Sequence, residues 1–154
     1  MDLEEHARAL ADGICAALPG WVERSVERLL VAYGGGAEPS VMVSAREAGA
    51  RAAAEVGSRV RSLLAADIDD QRSNPLSVLR EAVVYPTAVL RQAGVPAVER
   101  DAFAEERFPD DDYDLTPTSF ADLDPELRDL GLAWGAAKAW EHKRRHAGAE
   151  EGRA

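Results

Sequence analysis

Four aspartates crowd into five positions, Asp110, Asp111, Asp112 and Asp114, directly after Pro109. Carboxylate oxygens are hard ligands, and carboxylates held close together can share one Mg²⁺ or Ca²⁺. Asp110, Asp111 and Asp114 are therefore the candidate metal set. With Mg²⁺ bound they would suit a hydrolase or transferase of a phosphorylated small molecule. The competing reading, which the surrounding residues favour, is that these side chains cap turns and backbone amides. Asp67 and Asp70, with Asp69 between them, and Asp2 and Glu5 also stand three apart, but neither pair sits mid-helix opposite a second pair. His142 and His146 have the four-residue spacing that can bring two imidazoles to one ion. Lys143, Arg144 and Arg145 surround them and oppose a divalent cation, so a solvated surface is the better reading. His6 has no evident partner. Cys15 flanks an apolar stripe and reads as a structural thiol, no serine lies in a G-x-S-x-G setting, and Trp21, Trp134 and Trp140 read as packing anchors.

The order Asp110-Asp111-x-x-Asp114 resembles the D-D-x-x-D diphosphate motif of prenyl-transfer and terpene enzymes. Those motifs lie within a helix, whereas Pro109 stands directly before this one. Asp110, Asp112 and Asp114 also resemble the opening of an EF-hand loop. The glycine of that loop would fall on Leu115 and its bidentate glutamate on Ala121. The paired acids of the all-α nucleoside triphosphate pyrophosphohydrolases resemble Asp67/Asp70, without the facing pair.

Charge narrows the partners. The chain of 154 residues carries a formal net charge of −10, and residues 99–126 alone hold 11 acidic and 2 basic side chains. Such a field repels nucleic acid and anionic membrane and attracts a basic protein surface. Glu105, Glu106, Asp110, Asp112 and Asp122 form the candidate interaction face. Basic residues are arginine except at Lys138 and Lys143, the composition of a GC-rich genome. One cysteine precludes an internal disulfide and suits a reducing compartment. The start of the chain is acidic at Asp2, Glu4 and Glu5, unlike a signal peptide, and no apolar run of about 18 residues is present. A cytoplasmic setting is expected.

The elements that must position these residues are helical. Leu3, Ala7, Leu10, Ile14 and Leu18 mark a first helix, which Pro19-Gly20 is expected to end. Val22, Val26, Leu29, Leu30 and Tyr33 mark a second over 21–33, closed by Gly34-Gly35-Gly36. No Lys-Ser/Thr follows those glycines, so they read as a connector and not a phosphate loop. A long third helix spans about 40–66, with Ala45, Gly49, Ala52, Val56, Val60 and Leu63 as its stripe. Gly49, Ala53 and Gly57, four apart, suggest close approach of another helix.

Asn74-Pro75 is a start signal for a fourth helix carrying Leu76, Leu79, Val83 and Leu90, which Pro86 must kink near Ala82–Tyr85 or split into two short ones. A fifth is expected over 97–107 with Val98, Phe103 and Phe108 inward. Residues 108–125 read as an ordered, irregular wrap anchored by Phe108, Tyr113, Leu115 and Phe120. A short helix to Leu130, a break at Gly131 and a last helix over 132–146 follow, with Trp134, Ala137 and Trp140 inward. The expected fold is all-α, a compact bundle of about six helices. It is one domain over 1–147, with a frayed tail at 148–154.

From Asn74-Pro75-Leu76 and Tyr85-Pro86-Thr87, through Phe108-Pro109-Asp110 and Tyr113-Asp114-Leu115-Thr116-Pro117, to Leu132-Ala133-Trp134-Gly135-Ala136-Ala137, the chain resembles uncharacterised small helical proteins of actinobacteria. That resemblance implies a bacterial cytoplasmic setting and assigns no catalytic, cofactor or metal residue. The functional expectation is a non-enzymatic helical protein working through protein contact. Its partner would be a basic protein or a second copy of itself.

Overall fold

Pro19 does not end the first helix. The structure is a computed structural model that describes residues 2–66, 80–117 and 119–151, and in it α1 runs unbroken from Leu3 to Tyr33. Proline in a helix interior removes one hydrogen bond and crowds the preceding turn, at a cost of roughly 3 kcal/mol. The apolar stripe outweighs it. Leu10, Ile14, Leu18, Val22, Val26 and Leu30 keep a four-residue step straight through the proline, and all six are buried. Asp2 caps α1 by accepting the Glu4 amide at 3.0 Å. Gly34, at φ 101°, turns the chain out of it.

Helix α2, Pro39–Ala66, returns antiparallel along α1. Their seam is built from missing side chains. A Cβ on Gly49 would lie 2.9 Å from the Pro19 Cα and 3.0 Å from its carbonyl oxygen, and a Cβ on Gly57 would lie 2.8 Å from the Cys15 Sγ. Ala45, Ala48, Ala52, Val56, Val60 and Leu64 complete the buried face of α2. The small-residue spacing expected to allow close approach does so here.

The break expected near Ala82–Tyr85 is a turn at Ala82 and Val83, and α3 follows over Val84–Gln92 with Pro86 in its first turn, where it breaks no helical bond. Helix α3 crosses both long helices. Asn74-Pro75, Leu76 and Leu79 lie outside the described residues. The helix expected over 97–107 is shorter: α4 spans Ala102–Arg107, capped by Asp101, which accepts the Ala104 amide at 2.7 Å. This later start turns Phe103 outward, 57 % exposed, and Ala104 inward.

A four-residue helix, α5, Phe120–Leu123, leads into α6, Leu127–Glu151. Gly131 does not interrupt α6. It lies under the Phe120 ring, whose Cδ2 would meet a Cβ there at 2.8 Å, so this glycine makes room instead of ending a helix. The N-terminal turns of α6 dock on α1, with Leu127 and Leu130 over Gly13. Trp134 and Ala137 are buried as expected, whereas Trp140 is 50 % exposed. Two successive three-residue steps each swing about 60° off the face, which carries position 140 away from the core. Tyr33, the last residue of α1, is exposed too, because it lies beyond the packed faces.

One apolar cluster joins α1, α2, α3, α5, α6 and the wrap. No strand occurs among the described residues, and none of their helices is long and apolar enough to cross a membrane.

Candidate functional site

The acidic wrap is fastened by aromatic anchors below and arginines around it. Phe108, Tyr113, Leu115 and Phe120 are all buried, and the Tyr113 hydroxyl donates to the Val95 carbonyl oxygen at 2.7 Å. Arg100 stands at its centre. This one guanidinium donates to the carbonyl oxygens of Ala104, Phe108 and Asp111, closing the end of α4 onto the start of the aspartate run. Such charge-assisted bonds are stronger than neutral ones, and three on one planar head hold the loop in a single conformation. From α1, Arg24 donates to the Leu123 carbonyl at 2.6 Å and Arg28 to the Asp114 carbonyl at 3.3 Å.

The carboxylates meet arginines and amides. Asp111 lies 3.5 Å from Arg80 and accepts a hydrogen bond from the Thr116 hydroxyl. Arg80 also stands over the Phe108 ring, 5.5 Å from its centroid. Asp112 pairs with Arg91 of α3. Asp122 accepts the Ser119 amide at 2.8 Å and the Ser119 hydroxyl at 3.3 Å, capping α5. Asp124 accepts the Glu126 amide at 3.0 Å at the start of α6. Glu105, Glu106, Asp110 and Asp114 are exposed.

Of the candidate metal set, Asp111 is thus turned to Arg80 and Thr116, while Asp110 and Asp114 face solvent. Among the described residues no group of three or more His, Cys, Asp or Glu side chains is placed to hold a metal ion. The Asp67, Asp69 and Asp70 cluster lies outside those residues.

Open clefts flank the wrap. One, of about 560 Å³, runs between Arg80, Thr87 and Arg91 on one side and Asp110, Asp111 and Asp112 on the other. A second, of about 400 Å³, lies between Trp21, Arg24, Ser25 and Arg28 of α1 and Asp114 to Pro117 of the wrap. In the first, Arg80 pairs with Asp111 and Arg91 with Asp112, while Asp110 stays exposed.

The remaining candidates are placed as follows. The His142 and His146 rings lie with centroids 4.1 Å apart, tilted by 41°, and the His146 Nδ1 lies 3.1 Å from the His142 carbonyl oxygen. Glu141 does not join them. It takes Arg144 at 2.6 Å and Arg145 at 3.3 Å, and the Arg144 hydrogen bond holds its carboxyl below the usual range. Cys15 is half-buried in the α1–α2 seam. Burial first, and then the Asp12 carboxylate, push its thiol pKa up, away from a reactive thiolate. Tyr85 donates to Glu55 of α2, while Arg59 pairs with Glu81 at 2.8 Å, so two polar contacts tie α3 and the turn before it to α2.

Of the arginines that organise this region, Arg24, Arg28, Arg80 and Arg91 carry no spacing signal, because each reaches its partner across the fold, and Arg100 acts within its own loop, on acceptors 4, 8 and 11 residues on. The usable signal was their count: a chain with 28 acidic residues and 18 basic ones can neutralise much of an acidic segment internally. The burial of Lys138 and Glu141 in α6 likewise has no sign in the sequence. No protein-family model, curated protein or solved structure matches this chain.

Proposed function

We propose that the protein is a non-enzymatic, cytoplasmic helical protein, of the actinobacterial kind that its second half resembles, and that it acts by binding another protein. One observation carries this reading. On α4, Phe103 is 57 % exposed, exposed Glu106 lies one helical turn further along the same side, and exposed Glu105 and Asp110 lie nearby in the chain. An exposed aromatic ring in an acid-rich segment can anchor a contact with a basic surface. Its complement is a basic surface with an apolar socket: the carboxylates steer the approach and the ring supplies the buried contact. Asp112 and Asp122, engaged with Arg91 and Ser119, add less to this face than Glu105 and Glu106 do.

The test is affinity capture with the tagged protein at low and high salt, followed by capture with Glu105→Lys/Glu106→Lys and with Phe103→Ala. A partner retained at low salt, weakened by salt and lost with either variant supports the reading. Capture of nothing at low salt, together with strictly monomeric light scattering, removes it.

A further inference from the structure

Helix α6 is apolar on two opposite faces. One face carries Leu127, Trp134 and Ala137 into the core. On the other side Leu132 is 62 % exposed and Trp140 50 % exposed, with exposed Ala136 midway between them. One helical turn further out, exposed Asp129 precedes Leu132 and exposed Lys143 follows Trp140. At 100° per residue, positions 129, 132, 136, 140 and 143 fall within about 40° either side of Ala136. They form one stripe, with a large apolar side chain on either side of a small centre and opposite charges at its ends.

We infer that this stripe is a self-association surface, on which α6 of a second copy of this chain lies antiparallel. A two-fold axis through Ala136 sets Leu132 of each copy against Trp140 of the other and Asp129 against Lys143, so every group on the stripe meets its complement. The small residue at the crossing lets the helix axes approach to about 8 Å. A parallel pair would set Asp129 on Asp129 and Lys143 on Lys143, so charge selects the antiparallel arrangement. The seam is one helix wide and falls below the about 800 Å² per partner of a standard interface. The dimer is therefore a weak, concentration-dependent one. This inference extends the protein-contact reading to a second surface and names its occupant.

Sedimentation equilibrium of the full chain, from micromolar to millimolar concentration, tests it. The wild type shows reversible dimerisation, and Ala136→Glu, which places two like charges on the axis, abolishes it while leaving the circular dichroism unchanged. Asp129→Lys weakens association about tenfold, and Lys143→Asp does the same. Combining the two restores it, because the antiparallel pairs are re-formed with reversed sign. Ala136→Cys yields a covalent dimer on mild oxidation, and Ala50→Cys on the exposed side of α2 does not.

A wild type that stays monomeric at every concentration overturns the inference, as does a dimer indifferent to these variants. If the protein is monomeric yet captures a partner lost with Glu105→Lys/Glu106→Lys, the self-association surface is wrong and the protein-contact reading stands. If it is monomeric and captures nothing, both are wrong.

Discussion

The α1–α2 seam and the acidic wrap are fastened by opposite means. In the seam, closeness comes from atoms that are not there: Gly49 admits the Pro19 backbone and Gly57 admits Cys15. In the wrap, order comes from side chains that reach: Arg100 to three carbonyls, Arg24 and Arg28 from α1, and four buried rings and chains beneath. The first should fail when atoms are added and the second when atoms are removed.

The largest expected effect is in the wrap. Phe120→Ala empties a fully buried site beside Gly131 and should cost about 3–5 kcal/mol in urea-induced unfolding. Arg100→Met keeps the volume but leaves the carbonyls of Ala104, Phe108 and Asp111 without their donor. A loss of about 2–3 kcal/mol is expected, with amide exchange in 101–117 accelerated and that of α1 and α2 little changed.

In the seam, Gly49→Ala gains helix propensity but forces a methyl group against backbone that cannot rotate aside. A net loss of about 1–2 kcal/mol is expected. Gly57→Ala meets only the Cys15 side chain, which can turn, so its change in urea midpoint should be the smaller of the two. Equal losses at both glycines would break the distinction between a backbone contact and a side-chain contact.

The smallest effect is in strong base. Burial, and then the hydrogen bond to Glu55, push the Tyr85 pKa up to about 12. The folded state therefore holds a proton that the unfolded chain releases near pH 10. The Tyr85 contribution is complete below about pH 10 and is lost as pH rises toward about 12. Tyrosinate absorbance should show a late-titrating group that disappears in Tyr85→Phe.

The seam was legible in the sequence and the arginine fastening was not. Gly49, Ala53 and Gly57 at four-residue spacing announce a close helix contact, because a helix repeats its face and a small residue has few other uses there. Phe108, Tyr113, Leu115 and Phe120 were legible as anchors because large apolar groups in a polar loop must be covered. Pro19 does not act as a terminator, because the apolar stripe crosses it in phase from Leu18 to Val22. Gly131 misled because a glycine that ends a helix and one that makes room for a ring look alike until the ring is placed. Trp140 leaves the core face because two three-residue steps in a row do not stay on one side of a helix. The pairs Arg80–Asp111 and Arg91–Asp112 had no periodic sign at all, so the candidate metal set could be named while its arginine neighbours could not.

Arg24 meets the Leu123 carbonyl across 99 positions of sequence, and Arg28 meets the Asp114 carbonyl across 86. The α1–α2 hairpin needs only the short connection at residues 34–38. Because the entropy of closing a loop grows with its length, the hairpin should assemble early in folding and these two clasps late. Until they shut, the strongly negative segment is held off the body, exposed to other nascent chains. Mutual repulsion between such segments then keeps half-folded copies apart during the interval when their oily faces are still open.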